Sequence, residues 1–331
     1  MRALIAGSGS IARRHLKNLR HLVPAAHITV LRRSPSSCAT PSEWPDADQL
    51  VSTLDEACAG RPELAIVASP APFHVETALA LARQNCHLLI EKPLSHSLAG
   101  IDPLLAECDA RRLVLLIGYT LRFLPALNIL RQALTAGRIG RVLSFRAEVG
   151  QYLPDWRPGT DYRASVSAKA ELGGGAILEL SHEIDYIRWL LGDAASVFAL
   201  SAKTGDLEID VEDVAEITLR LSSGAVGSIH VDMLQRTPCR QCKIIGTTGT
   251  LIWDNNDNSV RLFSADKSAW EHLAVPPLSD RNAMYCTELA HFLACIEGTE
   301  TPAVSGRDAL QVLRIALAAK ESARTGSMVQ L

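Results

Sequence analysis

Short apolar runs alternate with amphipathic stretches through the first part of the chain, up to about residue 118. Ala3 to Ala6, Ile28 to Leu31, Leu64 to Ala68, His87 to Ile90 and Leu113 to Ile117 read as strands, because brief apolar runs bounded by turn residues suit strands buried on both faces. Between the first two, Ile11, His15, Leu16, Leu19 and Leu22 recur at helical spacing while Arg13, Lys17 and Arg20 face away, which predicts a helix with one buried stripe. Strands and helices alternating in this way predict an α/β unit with a doubly wound parallel sheet. Leu98, Ile101, Leu105 and Cys108 keep a helical period as well, but Asp102-Pro103 interrupts it, so a kink or a late helix start is expected.

Beyond Gly118 the pattern changes. Gly140 to Gly150 reads as a strand, and Gln151 to Ala170 as a polar loop with Tyr152, Trp156, Arg157, Tyr162, Arg163 and Lys169; loops of that content usually meet a ligand or a partner. Gly173-Gly174-Gly175 leads into a helix predicted over Ala176 to Leu191 and closed by Gly192. Ile217, Leu219 and Leu221 then alternate with Glu216, Thr218 and Arg220. After a turn at Ser222-Ser223-Gly224, Ile229, Val231 and Met233 alternate with Ser228, His230 and Asp232, the period of antiparallel strands. Gly246-Thr247-Thr248-Gly249 and Asn255-Asn256-Asp257-Asn258 mark two further turns. Helices are expected from about Arg281 to Glu297 and from Arg307 to Arg324.

A chain of 331 residues exceeds the usual single domain. The expected division is 1–120 and 121–331, with a C-terminal helix able to pack back on the first domain. Hydrophobic residues make up 47%, charged residues 21%, and the net charge is -3, which provides no basic field for nucleic acid. No run of about 18 apolar residues suggests a membrane span, and the start of the chain lacks the apolar core of a signal peptide. Eight cysteines are scattered without a disulfide-like spacing, so a reducing cytoplasm is expected. Cys239 and Cys242 form a CxxC with no second ligand pair; they read as ordinary thiols, and no metal site is expected.

Gly7-Ser8-Gly9-Ser10-Ile11-Ala12 is a GxGxxA sequence between a predicted strand and a predicted helix. Its first glycine permits a tight turn, its second lets backbone approach a pyrophosphate, and its small last residue lets helix pack on strand. The helix start then offers N–H groups to the phosphates. Arg32 follows Ala12 by 20 residues (32 minus 12), the position where NAD enzymes carry an acid; here the sequence is Arg32-Arg33-Ser34. Guanidinium groups and a serine suit a 2′-phosphate, so NADP is favoured over NAD. Glu91-Lys92-Pro93 ends an apolar strand, which sets a lysine at the carboxyl edge of the sheet, where open α/β folds bind ligands.

With these motifs, Ser69-Pro70-Ala71-Pro72-Phe73-His74, Gly118-Tyr119, Arg122-Phe123 and Gly173-Gly174-Gly175 in this order, the chain resembles the Gfo/Idh/MocA oxidoreductases over almost its full length. The resemblance implies a Rossmann domain over 1–120, followed over 121–331 by a substrate-binding and oligomerisation domain with an open, mainly antiparallel sheet. It implies hydride transfer between a nicotinamide and a hydroxyl-bearing carbon of a sugar, sugar acid or nucleotide-activated sugar. Lys92 takes the family's EKP lysine role at the reacting hydroxyl, and His182 the histidine role in proton transfer. Glu91, Ser69, Pro70 and His74 fall on the cofactor side, and Tyr119 and Arg122 on the substrate side. Glu179, His182 and Asp185 are spaced i, i+3, i+6, which on one helix lines them along one stripe and makes the acids partners for the histidine. The family aspartate four residues before the histidine is Leu178 here, and Ala71 stands where asparagine is frequent. Tyr152, Trp156, Arg157, Tyr162 and Arg163 offer aromatic faces and cations to an activated or acidic sugar. Relatives that are redox-assisted glycosidases or cofactor-sensing regulators supply two alternative readings. A homodimer or homotetramer through the open sheet is expected.

Overall fold

The first apolar run folds as β1 (Arg2–Ala6), with Leu4 and Ile5 fully buried. The computed structural model describes residues 1–32, 43–277, 280 and 282–331. They divide into two compact units, one made of Met1–Thr120 with Asp280–Leu310 and the other of Leu121–Ser279 with Gln311–Leu331.

In the first unit β1 is followed by α1 (Ser10–Leu22), β2 (His27–Leu31), β3 (Gln49–Val51), α2 (Leu54–Ala59), β4 (Leu64–Val67), α3 (His74–Ala82), β5 (His87–Glu91), α4 (Ile101–Arg111) and β6 (Leu115–Gly118). The strands form a parallel sheet in the order β3-β2-β1-β4-β5-β6. Every residue of β4 is buried, as expected where helices cover both faces; truncating one such core side chain, Ile66→Ala, would cost about 2–5 kcal/mol. Strand β3 is among the elements that periodicity missed, since three residues are too few to show a period. Pro103 sits in the first turn of α4, which begins at Ile101, so the helix starts late and is not kinked; a proline is tolerated there because first-turn N–H groups have no intrahelical acceptor.

The second unit opens with α5 (Pro125–Thr135) and β7 (Val142–Gly150), then α6 (Ala176–Glu179), α7 (His182–Leu191), β8 (Ala194–Ala202), β9 (Val214–Leu221), β10 (Val226–Asp232), β11 (Cys239–Gly246), β12 (Gly249–Asp254), β13 (Ser259–Ser264) and β14 (Ala269–Leu273). The chain continues into α8 (Asn282–Ile296), which belongs to the first unit, then α9 (Gly306–Thr325) and β15 (Val329–Gln330). The sheet order is β14-β13-β12-β11-β7-β10-β9-β8-β15, antiparallel except for the parallel β7/β10 pair. One face buries Phe145, Ile217, Ile229, Ile244 and Trp253. The other carries Glu216, Thr218, Arg220 and Lys243, with Leu200, Val226 and Ile245 exposed among them.

The single helix predicted over Ala176 to Leu191 is two helices. Leu180 leaves helical geometry (φ -101°, ψ 26°) after the four residues of α6, and α7 restarts at His182. Among the described residues no helix is long and apolar enough to cross a membrane, no group of His, Cys, Asp and Glu is arranged to hold a metal, and the seven cysteines are free.

Candidate active site

An open parallel sheet binds its ligand outside the carboxyl ends of the strands, where the strand order changes direction. Here that point lies between β1 and β4. The registers Ala6–Val67 and Val67–Ile90 bring Gly7, Ala68 and Glu91 to that edge in one row. Gly7 has φ +139°, and a Cβ on it would run into the carbonyl of Ala68, so only glycine fits. Gly9 is the N-cap of α1 and supplies no side-chain cap, and a Cβ there would meet nothing within 4 Å. Open space therefore lies over the first turn of α1, whose N–H groups lack intrahelical acceptors. Space of this kind fits a dinucleotide pyrophosphate: Gly7, Ser8, Gly9, Ser10 and Ile11 would hold it. Ala12 is fully buried and serves the contact of helix with strand.

Arg32 continues β2, its N–H donating to the Val51 carbonyl (2.9 Å), and its buried Nε has no hydrogen-bond partner among the described residues. Arg33 and Ser34 lie outside the described residues. Beside α1, a cavity of about 300 Å³ is lined by Ser10, Arg13, Arg14, Lys17, Asn18 and Asn282, so the start of this helix is flanked by three cations.

The turns after β4 and β5 are tied together. His74 is 1% exposed, with Nδ1 3.0 Å from the Pro93 carbonyl and Nε2 2.7 Å from the Ser69 carbonyl. Burial pushes its pKa down. Its ring thus lies between the Ser69-Pro70 turn and the Lys92-Pro93 turn, with a carbonyl of each within reach of a ring nitrogen. Lys92 is half-buried, and its peptide bond to Pro93 is cis. Its N–H donates to Glu91 Oε2 (3.3 Å), while Glu91 Oε1 lies 2.7 Å from Nε2 of the buried His15. Glu91 is 8% exposed, so it too is an internal brace. Tyr285 of α8 meets the His15 ring edge-on at 6.1 Å. One turn further, Glu288 is fully buried, and its carboxyl is pushed well above the usual carboxylate range, first by burial and second by the charge of Glu91. In the sequence His15 reads only as a member of a buried helix stripe and Tyr285 and Glu288 belong to no motif; the available signal was a polar residue on each helix's apolar stripe.

In the second unit the triple glycine is required by crowding. A Cβ on Gly174 would press on the carbonyls of Val166, Ser167 and Lys169, and Gly175 (φ +102°) faces the Glu212 carboxylate. Glu212 accepts from the Ile177 N–H (3.3 Å) and pairs with Lys320 (3.2 Å), which seats the start of α6. Glu179 ends α6 and accepts from Ser167 Oγ (2.9 Å). His182, half-buried, opens α7. The next acids of α7 form ion pairs, Glu183 with Arg240 (2.9 Å) and Asp185 with Arg122 through two bonds of 2.6 and 3.0 Å. The Arg122 guanidinium also lies 5.6 Å from the Trp189 ring.

Asp185 is fully buried and Arg122 is 6% exposed, and the two are joined by a bidentate ion pair. Together they pin the helix that carries His182. The break at Leu180 also ends the single stripe of Glu179, His182 and Asp185. Tyr119, read as a substrate contact, is 1% exposed.

The aromatic loop is folded as a series of 3₁₀ turns. Tyr152 lies under Arg236 (3.6 Å), Trp156 Nε1 donates to the Gln151 carbonyl (2.9 Å), and the Tyr162 hydroxyl accepts from the Glu208 N–H (3.1 Å). Arg157 is exposed. Arg163 already pairs with Asp161 (2.8 Å) and Glu208 (3.4 Å), which push its pKa up, so Arg157 is the better placed of the two for an anionic ligand.

Comparison with known proteins agrees with both halves of this description. Residues 1–119 match the family model of the oxidoreductase family NAD-binding Rossmann fold, and residues 131–331 that of the same family's C-terminal alpha/beta domain. The chain is 30% identical to a 1,5-anhydro-D-fructose reductase of Ensifer adhaerens over 261 residues, 78% of this chain and 77% of the reductase. It is 27% identical to a myo-inositol 2-dehydrogenase of Thermotoga maritima, covering 100% of this chain and 98% of that one. Among solved structures, the WlbA dehydrogenase of Bordetella pertussis in complex with NADH and UDP-GlcNAcA superposes with a TM-score of 0.85 at 25% identity, covering 100% of this chain and 97% of that one.

Proposed function

We propose a function from one premise: the chain belongs to the Gfo/Idh/MocA oxidoreductase family. It is an NAD(P)-dependent oxidoreductase that moves a hydride between a nicotinamide and a hydroxyl-bearing carbon of a sugar-type substrate. The observation that carries the cofactor half is the open space at Gly9 over the uncapped start of α1. When bound, the nicotinamide supplies the hydride acceptor or donor.

The chain's residues supply binding and proton handling. The Gly7–Ile11 turn holds the pyrophosphate by backbone N–H groups. Lys92 takes up or returns the hydroxyl proton, and His182, presented by a helix with two buried ion pairs, exchanges protons at the second position. The absence of an acid at the end of β2, with Arg32 there instead, favours NADP over NAD. Arg157 on the exposed loop, and the acidic nucleotide sugar bound by WlbA, favour an activated or acidic sugar. Free thiols at the seven described cysteines suit the cytoplasm. The solvent-facing side of the second sheet, with Leu200, Val226 and Ile245 exposed, is the surface for a homodimer or homotetramer.

The test is a turnover assay, with NAD and NADP in parallel, across inositols, anhydro-sugars, aldoses and nucleotide sugar acids, following reduced nicotinamide. Wild type should turn over at least one of them and Lys92→Ala none. Equal activity in Lys92→Ala and wild type would remove Lys92 from the chemistry, and turnover without net change of cofactor would favour the glycosidase reading.

A further inference from the structure

The first unit contains a buried polar group that binding and proton transfer leave unexplained. Glu288 is 0% exposed, and neither carboxyl oxygen has a hydrogen-bond partner among the described residues. His15, also 0% exposed, uses Nε2 on Glu91, and its Nδ1 likewise has no partner among them. Such groups are rare in folded proteins, because each forfeits its hydration without replacement. They lie on three elements: His15 on α1 bonds Glu91 at the end of β5, Tyr285 of α8 meets His15, and Glu288, one turn along α8 from Tyr285, is close enough for the charge of Glu91 to act on it. Glu91 immediately precedes Lys92 and accepts that residue's backbone N–H.

We propose that His15, Glu91 and Glu288 are positioning residues for Lys92, a buried brace that fixes the turn from which the catalytic amine projects. Two buried carboxyls whose charges act on each other cannot both hold a charge cheaply. Glu91 has an imidazole and an amide N–H beside it; Glu288 has neither among the described residues, so Glu288 is the member held neutral. The burial that pushes the Glu288 carboxyl upward acts in the same sense. A neutral Glu288 keeps the negative charge localised on Glu91, where His15 and the Lys92 amide hold it. Were Glu288 charged, the repulsion would fall on the side chain that anchors the Lys92 turn.

This inference rests on the reading of Lys92 as catalytic, and one of its measurements does not. The variants are Glu288→Gln, which keeps the size and neutrality of the protonated acid, Glu288→Ala, and Glu91→Gln. The readouts are kcat, KM, the Kd of the nicotinamide cofactor, and hydrogen exchange of the peptide spanning residues 87–95. Glu288→Gln should stay within about twofold of wild type in every readout, whereas Glu288→Ala and Glu91→Gln should lower kcat about tenfold or more. Both should leave cofactor Kd within about twofold and speed exchange at the Lys92 peptide. The proposal is overturned if Glu288→Gln falls as far as Glu288→Ala, or if kcat holds while exchange is unchanged. It is also overturned if kcat and cofactor affinity fall together, as in a general loss of structure. Should wild type show no turnover on any substrate, the functional reading fails by itself, and the exchange rates still decide whether the brace holds the Lys92 turn.

Discussion

Replacing Asp185 separates a structural acid from a catalytic one. Its side chain is fully buried, the Arg122 side chain is 4% exposed, and the two share bonds of 2.6 and 3.0 Å. Removing one member of such a pair breaks a buried ion pair, at a cost of about 3–5 kcal/mol. Asp185→Asn should therefore lower the midpoint of the urea transition seen by Trp189 fluorescence, since that ring lies 5.6 Å from the Arg122 guanidinium. The double variant Arg122→Met/Asp185→Leu removes both charges and should recover to within about 1 kcal/mol of wild type, a large favourable coupling in a double-mutant cycle. In it, kcat should also return toward wild type, because the pair contributes the placement of α7 and no proton. An Asp185→Asn variant that costs less than about 1 kcal/mol yet abolishes turnover would instead place Asp185 in the chemistry.

Gly7→Ala and Gly9→Ala should part company. The first drives a Cβ into the Ala68 carbonyl at positive φ and should destabilise the fold by about 1–3 kcal/mol. The second enters open space and should leave Tm unchanged while weakening cofactor binding in titration calorimetry. Arg32→Ala should lower the ratio of kcat/KM for NADP to that for NAD; an unchanged ratio would remove Arg32 from recognition of the 2′-phosphate. His230 bridges Asp232 (3.0 Å) and Glu216 (2.6 Å), which raise its pKa from 6.5 to about 9, Asp232 contributing most. A folded value above the unfolded one means the contribution is complete below pH 6.5 and is lost as pH rises through about 9. The Tm difference between wild type and His230→Asn should shrink across that window, and a constant difference would argue against the linkage.

The features legible in the sequence are those set by local periodicity and by glycine. The β–α alternation before residue 118 and the Gly7–Ala12 turn record constraints that act within a few residues, and both stand in the structure. Pairings distant along the chain left no such record. Arg122 and Asp185 are 63 residues apart, and His15 and Glu91 are 76 apart. Each looked like an independent polar residue, so nothing in the sequence announced the pairing of Arg122 with Asp185 or of His15 with Glu91. The break at Leu180-Ser181 was hidden for a related reason: the apolar pattern runs on through it, while Glu212 and Lys320, distant in sequence, seat α6 separately. Arg163 was taken for an anion binder because Asp161, two residues away, was not weighed as its partner.

The discontinuity of the first unit constrains the order in which the protein can be made. When Thr120 leaves the ribosome, all six strands of the first sheet exist, but α8 does not. The flank of α1 with His15 and Asn18 has no Tyr285 or Asn282 against it, and Glu91 waits a further 168 residues (288 minus 120) for Glu288. The second unit also stays open late, since β15 pairs with β8 only when Val329 has been added. Residues 280–331 thus finish both units within one stretch of synthesis. A nascent chain shorter than this presents two unfinished cores to chaperones and proteases. A premature stop before α8 would leave the dinucleotide half as incomplete as the substrate half, although the motifs of the former all lie in the first 120 residues.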